Sequence, residues 1–229
     1  MGIKAFNHGN DFVNKFVRAI VSDSTGEDAV LLPPGPSSGL SATGGLISDF
    51  TSGSDVYRAH VFTSSGTFEV TQGGSFGNDI DFLVVAGGGG GGAKLAAGNG
   101  GRGGGGGGGL RSNIPSVPYS IPDSSIAFPG TGPYTYTIEV GAGGAAANPP
   151  SVNTAGHNGG NSSITGPSHP GSGGAGGVVA SGGGGGTVVP GTDANDGGSG
   201  GGGAYGSSQG DTVAATDRIS PTVQGFNGN

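Results

Sequence analysis

Runs of glycine constrain the fold of this chain more than any other feature. Of its 229 residues, 58 are glycine, and 43 of these lie within residues 87–206. Their spacing is irregular, which excludes the strict three-residue glycine period of collagen. Hydrophobic residues make up only 31% and Trp is absent, whereas the core of an ordinary globular enzyme needs many large apolar side chains. The composition therefore argues against an enzyme.

The densest glycine segment, residues 87–109, has 16 glycines in 23 residues and admits two interpretations. As a linker it would behave as a flexible coil. Alternatively, such segments pack as polyglycine helices of the polyproline II type, with three residues per turn and lateral backbone hydrogen bonds. Ordering the backbone costs roughly 1–2 kcal/mol per residue, so a dense set of bonds worth about 1 kcal/mol each must offset it. We favour packed helices because predicted strands hold both ends of the segment.

Four segments are predicted to be β-strands: residues 80–85 are apolar enough for a buried strand, and the other three show two-residue alternation. The last is the clearest, because every second residue from Tyr134 to Val140 is apolar and would face a core. Ser64–Gly66 supplies a turn between the first two. The predicted strands are 56–63, 67–71, 80–85 and 134–140, and the predicted β-core residues are Phe62, Phe68, Val70, Phe82, Val84, Tyr136, Ile138 and Val140.

An amphipathic helix is predicted near the N-terminus, where apolar residues recur every four positions after Asn10 or Asp11 as N-cap. About three turns are too few for a helix to be stable alone in water, so the stripe must pack on a partner. That partner is either the chain's own domain or, as an anchor or oligomer contact, another protein. The stripe consists of Phe12, Val13, Phe16, Val17, Ile20 and Val21.

Composition divides the chain into four regions. Residues 1–32 form a helical anchor, and residues 33–55 form a Pro/Gly/Ser linker stiffened by consecutive prolines. Residues 56–206 form a glycine-rich β-domain, and 207–229 form a C-terminal segment beyond which we expect a longer natural chain to continue. The predicted fold is mainly β: a short N-terminal helix and Pro-rich linker, then a β-sandwich body with embedded polyglycine or polyproline-II-like helices.

The motifs that suggest chemistry are incomplete. Residues 140–146 match the glycine pattern of a dinucleotide site, but prolines at 149–150 block the required helix and no acidic residue occurs from 140 to 192. Residues 85–95 lack the Ser/Thr that a phosphate loop places after its lysine. Asp193–Gly197 is one residue short of a calcium loop and lacks its closing Glu. With no Cys and four scattered His, we expect no catalytic, metal or cofactor-binding residues.

Charge and hydropathy exclude two further classes of partner. The net charge is −7 with only eight Lys and Arg, so the basic footprint of a nucleic-acid-binding protein is missing. No run of eighteen apolar residues exists, so we expect no membrane insertion. The first residues lack the apolar core of a secretion signal. We therefore expect the chain either to be intracellular or to reach the outside of a cell by another route, for example inside an assembled particle released by lysis.

Several segments in series resemble virion structural and fibre proteins of tailed marine phages. Residues 45–68 are similar to a stretch in those proteins, and 81–90 look like the start of the glycine-rich domain they carry. Residues 136–144 and 159–163 are similar to its middle. The resemblance covers residues 40–206. It implies a non-enzymatic fibre or adhesin subunit, a homotrimer with a β-sandwich body and packed glycine helices.

The sequence therefore predicts a subunit of the virion, assembled in the host cytoplasm and exposed on the particle surface. Its N-terminus would dock on neck, tail or baseplate proteins, and its glycine-rich β-domain would project outward to attach to a host-surface receptor. Two alternatives stay open. One is a purely architectural decoration or baseplate protein. The other is an extracellular glycine-rich matrix or ice-binding protein.

Overall fold

The computed structural model describes most of the glycine-rich region and two shorter N-terminal parts. Its twelve strands are β1 (Gly2–Ala5), β2 (Ser41–Thr43), β3 (Leu46–Ser52), β4 (Asp55–Val61), β5 (Gly66–Gln72), β6 (Asp79–Ile80), β7 (Leu83–Val85), β8 (Leu110–Ser112), β9 (Ile126–Ala127), β10 (Tyr134–Glu139), β11 (Ser162–Thr165) and β12 (Gly177–Ala180). The described residues are 2–5, 39–53, 55–74, 79–93, 102–117, 125–127, 132–147, 155–167, 177–188, 193–204 and 225, and they contain no helix.

All strand pairs are antiparallel. The largest sheet has the order β12-β11-β10-β5-β2, and a second sheet has the order β1-β4-β3. Two ribbons, β6-β9 and β7-β8, complete the set. The mainly β class is thus confirmed, while the predicted sandwich and N-terminal helix are not. The helix and its six stripe residues lie outside the described residues.

Alternation along β10 builds the centre of the core. Tyr136 and Ile138 are buried, whereas Thr135, Thr137 and Glu139 between them are exposed. The neighbouring strand β5 adds Phe68 opposite Tyr136 in the antiparallel register. The strand predicted over 134–140 is confirmed, because a half-buried sheet surface requires this two-residue period. Residues from β2, β6, β7, β9, β11 and β12 join the same cluster.

The single strand predicted over residues 80–85 is wrong. It is split into β6 and β7, which pair with different partners, β9 and β8. The side chain of Asn113 holds the break, because its Oδ1 accepts from the amide of Phe82 at 2.7 Å and its Nδ2 donates to the carbonyl of Ile80 at 3.1 Å. The side-chain amide of Asn113 thus pairs with backbone groups that would otherwise need a neighbouring strand.

Two strands lie within residues 33–55, the predicted linker. Strand β2 joins the edge of the five-stranded sheet and buries Ala42. Strand β3 pairs with β4 along its full length, from Leu46 opposite Val61 to Ser52 opposite Asp55. The Gly44–Gly45 corner between them has φ values of 107° and 64°, which side chains disfavour. Residues 41–43 and 46–52 of the predicted linker thus form strands, and the glycines between them mark a sharp corner.

Candidate structural and interaction sites

The glycine runs form a connected set of extended segments that we call the glycine lattice. Backbone hydrogen bonds of 2.7–3.2 Å join them side by side. Few side chains intervene, so the backbone of one segment lies directly against the backbone of its neighbours. The lattice comprises residues 86–92, 103–109, 141–147, 156–160, 181–187 and 195–202.

Segment 181–187 lies at the centre of the lattice, and residues 182–187 are all buried. Its amides donate in three directions that repeat every third residue, as a helix with three residues per turn requires. The donor–acceptor pairs are Gly182 to Asn161 Oδ1, Gly183 to the Gly87 carbonyl, Gly184 to Ser199, Gly185 to Asn158 Oδ1, Gly186 to Gly90 and Thr187 to Gly202.

The carbonyls of this central segment are also fully used. Each carbonyl from residue 181 to 187 accepts one backbone amide, from segments 103–109, 195–202 and 156–160 in turn. No amide or carbonyl within residues 182–187 is therefore left unpaired. Because an unpaired buried backbone group costs about 1–3 kcal/mol, this complete pairing makes burial of a segment almost without side chains possible.

Close packing explains why the central positions are glycine. A Cβ atom built on Gly184 would overlap the carbonyl of Asn195 and lie 2.8 Å from the amide nitrogen of Gly201. At Gly104, on an exposed part of the lattice, a Cβ would meet no atom within 4 Å. Glycine is thus sterically required at the first position and not at the second.

Two asparagines complete the pairing of the central segment, and sequence reasoning missed them. Asn158 and Asn161 accept from the amides of Gly185 and Gly182, both at 2.9 Å. The two asparagines are three residues apart, which equals the three-residue period of the hydrogen bonds along segment 181–187. That spacing beside Gly159 and Gly160 is the sequence signal that identifies them.

The incomplete motifs of the sequence lie within the lattice. The amides of Gly87, Gly89 and Gly90, in the segment resembling a phosphate loop, donate to lattice carbonyls. In the dinucleotide-like segment, Gly144 donates to the carbonyl of Gly88. In the calcium-like segment, Asn195 donates to Gly185. These amides hold the lattice together, so they are not free to bind phosphate in this arrangement.

The β3–β4 hairpin is a second, different surface. Its register stacks Phe50 on Tyr57, with ring centroids 5.2 Å apart, on one face. On the other face Arg58 donates two hydrogen bonds to Asp49, at 2.7 and 2.8 Å. This bond lowers the pKa of Asp49 below its usual value and raises the pKa of Arg58. Both side chains are about half exposed, so the pair adds little stability.

His60 connects this hairpin to the body. It is fully buried, and its Nδ1 donates to the carbonyl of Gly44 at 2.7 Å. Its ring packs edge-to-face with Phe68, with the ring centroids 5.2 Å apart. Its Nε2 is buried without a hydrogen-bond partner in the described part of the chain. His60 therefore fixes the corner from which β3 leaves the body.

An apolar groove with a volume of about 340 Å³ lies where the hairpin meets the five-stranded sheet. Val61 and Phe62 line it from the hairpin, and Leu83 and Val85 line it from β7. Its floor includes Ile138 and Val140. No cluster of three metal-binding side chains exists among the described residues, and no helix among them is long and apolar enough to cross a membrane.

The predicted core residues converge in the structure. Six of the eight core residues are buried in one cluster, and Phe62 and Val140 are partly buried against it. The six stripe residues Phe12, Val13, Phe16, Val17, Ile20 and Val21 lie outside the described residues. Among the large buried side chains that sequence reasoning missed is Arg111, whose Nη1 donates to the carbonyl of Val179 at 3.2 Å.

Comparison with known protein families identifies the family of this chain. A family model described as a glycine-rich domain matches residues 63–229. This range begins just before β5 and includes every segment of the glycine lattice. No curated protein and no solved structure matches the chain.

Proposed function

We propose that this chain, which belongs to the family of glycine-rich domains, is a non-enzymatic structural subunit of a virus particle. The particle would be a tailed phage, and the subunit a fibre or adhesin that carries the glycine lattice outward for host attachment. The observation that carries this proposal is the central segment 182–187, whose backbone is buried and fully paired. Such a segment offers rigidity and presents no reactive group.

The lattice supports the proposal through its stiffness. We propose that its segments are polyglycine helices of the polyproline II type, because their hydrogen bonds recur every third residue. Each helix is held by several neighbours, so bending one requires breaking bonds to the others. A stiff body of this kind suits a part that must project from a particle without a large apolar core.

The finer fold follows the same reasoning. We propose that the five-stranded sheet and the β7–β8 ribbon are two layers of a small sandwich, because Phe82 and Val84 join Phe68 and Tyr136 in one core cluster. The glycine lattice would extend this sandwich at one end, since β7 leads into segment 86–92 and β12 leads into segment 181–187.

The partners proposed for the subunit are other virion proteins, two further copies of the chain, and a receptor on the host surface. Docking on the neck, tail or baseplate is assigned to the N-terminal 32 residues, and host attachment to the glycine-rich body. Neither nucleic-acid binding nor membrane insertion forms part of the proposal, given eight Lys and Arg in 229 residues.

Two experiments test the attachment role. Purified chain added to host cells should block adsorption of the phage that carries it, and G184A, which disrupts the lattice, should block less than the matched variant G104A. Absence of any block by correctly folded protein would favour the architectural alternative. Growth of ice crystals shaped by the same protein would favour the ice-binding alternative.

Assembly is tested separately. Light scattering should give the mass of three chains, and a monomer would refute the trimer. Chains lacking residues 6–32, which retain β1, should fold but fail to enter particles. Normal incorporation of this deletion would refute the N-terminal anchor.

A further inference from the structure

The apolar groove where the hairpin meets the five-stranded sheet has the properties of a binding site. Its walls include Val61 from the hairpin and Leu83 and Val85 from β7, which are 42%, 41% and 55% exposed. Its volume of about 340 Å³ lies in the range of ligand sites, which are mostly apolar with a few polar groups. Exposed apolar surface of this kind is characteristic of a site that binds a partner.

One wall of the groove can also pair through its backbone. All three residues of β7 line the groove. Among the described residues β7 pairs only with β8, so the second edge of this strand has no strand partner there. A free strand edge binds an extended peptide through main-chain hydrogen bonds, and apolar pockets beside it hold alternate side chains. The groove therefore suits an extended polypeptide better than a compact ligand.

The charge at the groove comes from Glu139, an exposed residue of β10 that lines it. One carboxylate oxygen, Oε2, accepts from the hydroxyl of Ser163 at 3.2 Å. The other oxygen has no hydrogen-bond partner among the described residues. No Lys, Arg or His is among the described residues that line the groove. A cationic group of a ligand would therefore find an acceptor there without a competing cation.

The net charge of the chain favours the same kind of partner. It is −7, and proteins of like charge repel each other. A second copy of the chain is therefore disfavoured as the occupant. A basic partner is attracted both by the chain as a whole and by Glu139 at the groove.

We propose that the groove binds an extended peptide segment of another protein in which apolar and basic residues alternate. The apolar side chains of such a segment share one side and would enter the groove between Val61 and β7. The long side chain of a neighbouring Lys or Arg would reach the exposed carboxylate of Glu139. This inference stands apart from the proposed virion role, because it concerns the ligand of one groove and not the assembly of the chain.

Two blocked peptides of opposite charge test this chemistry, Leu-Lys-Leu-Lys-Leu and Leu-Glu-Leu-Glu-Leu. When the basic peptide is titrated into the full chain, the NMR signals of the amides of residues 83–85 should shift. The acidic peptide should bind roughly tenfold more weakly, because its carboxylates meet Glu139. Equal affinity for the two peptides, or no binding of either, would overturn the proposal.

Charge reversal at the groove tests the role of Glu139. E139K should reverse the preference, so that the acidic peptide binds more tightly than the basic one. The matched control is E69K, because Glu69 lies on the neighbouring strand β5 and does not line the groove. This control should keep the preference of the parent. Retention of that preference by E139K would overturn the proposal.

A pair of valine variants locates the contact. V85Q places a polar side chain in the groove, whereas V179Q makes the same change at an exposed valine of β12 that does not line it. V85Q should weaken binding of the basic peptide roughly fivefold or more, because apolar contact is lost. V179Q should leave the affinity of the basic peptide unchanged, and circular dichroism verifies that both variants are folded.

Two outcomes of this comparison would overturn the proposal. Equal weakening by V85Q and V179Q would place the peptide outside the groove. A lower oligomeric mass of V85Q in light scattering would identify a second copy of the chain as the occupant.

Discussion

The steric role of the central glycines leads to a quantitative prediction for G184A. The added methyl group would overlap the carbonyl of Asn195, which also accepts a 2.9 Å hydrogen bond from Gly201. The segments must move apart, because the groups they meet are backbone. Overpacking of this kind costs about 1–3 kcal/mol.

Separation of the segments adds the loss of hydrogen bonds. The amide of Gly184 donates to Ser199 at 2.9 Å, and its carbonyl accepts from Gly106 at 2.7 Å. Loss of two such bonds at about 1 kcal/mol each brings the total to roughly 3–5 kcal/mol. At 2–4 °C per kcal/mol for a chain of this size, the thermal midpoint should fall by roughly 6–20 °C.

The matched control is G104A, the same substitution at an exposed position of the same lattice. No atom lies within 4 Å of the added Cβ, and the backbone there is not in the left-handed region. The control should stay within about 1 kcal/mol of the parent and gain slightly from reduced unfolded-state entropy. Thermal and urea unfolding followed by circular dichroism measure both variants. Equal midpoints for G184A and G104A would refute the close packing of the lattice.

Three further predictions concern side-chain contacts. N161A leaves the buried amide of Gly182 without its acceptor and should lower stability by about 1–3 kcal/mol. N161D retains an acceptor and should lose less stability. Equal losses of the two variants in urea unfolding would contradict the role of Asn161 as the acceptor for Gly182. N113A removes the side chain that bonds to the backbone between β6 and β7, and it should lower the free energy of unfolding by about 2–4 kcal/mol in the same assay. An unchanged free energy of unfolding would show that other contacts hold this break between the strands. The hydrogen bond from Arg58 lowers the folded-state pKa of Asp49, so the small contribution of the pair to stability should be present at neutral pH and disappear as the pH falls through that lowered value. D49N should lack this part of the acid dependence of the unfolding midpoint. Identical pH profiles of the midpoint in D49N and the parent would show that the pair contributes nothing.

Local patterns identified the strands with regular alternation. The two-residue period from Tyr134 to Val140 sufficed because β10 has one buried and one exposed face along its whole length. The same reasoning failed over residues 80–85, where a mostly apolar run conceals a change of strand partner at Asp81. That change depends on Asn113, more than thirty residues away, and no local pattern shows a contact at that separation.

The sequence by itself determined that this chain has a β body. The placement of its glycines showed that segments too poor in side chains for an ordinary core interrupt that body. The embedding of those segments between strands also indicated that they pack. Only the tertiary structure decided which segment is central, which glycines a methyl group would displace and which asparagines complete the pairing. The physical reason is that a glycine segment carries no side-chain pattern to mark an inner face. Its position follows from the partners of its amides and carbonyls, and those partners come from distant parts of the chain.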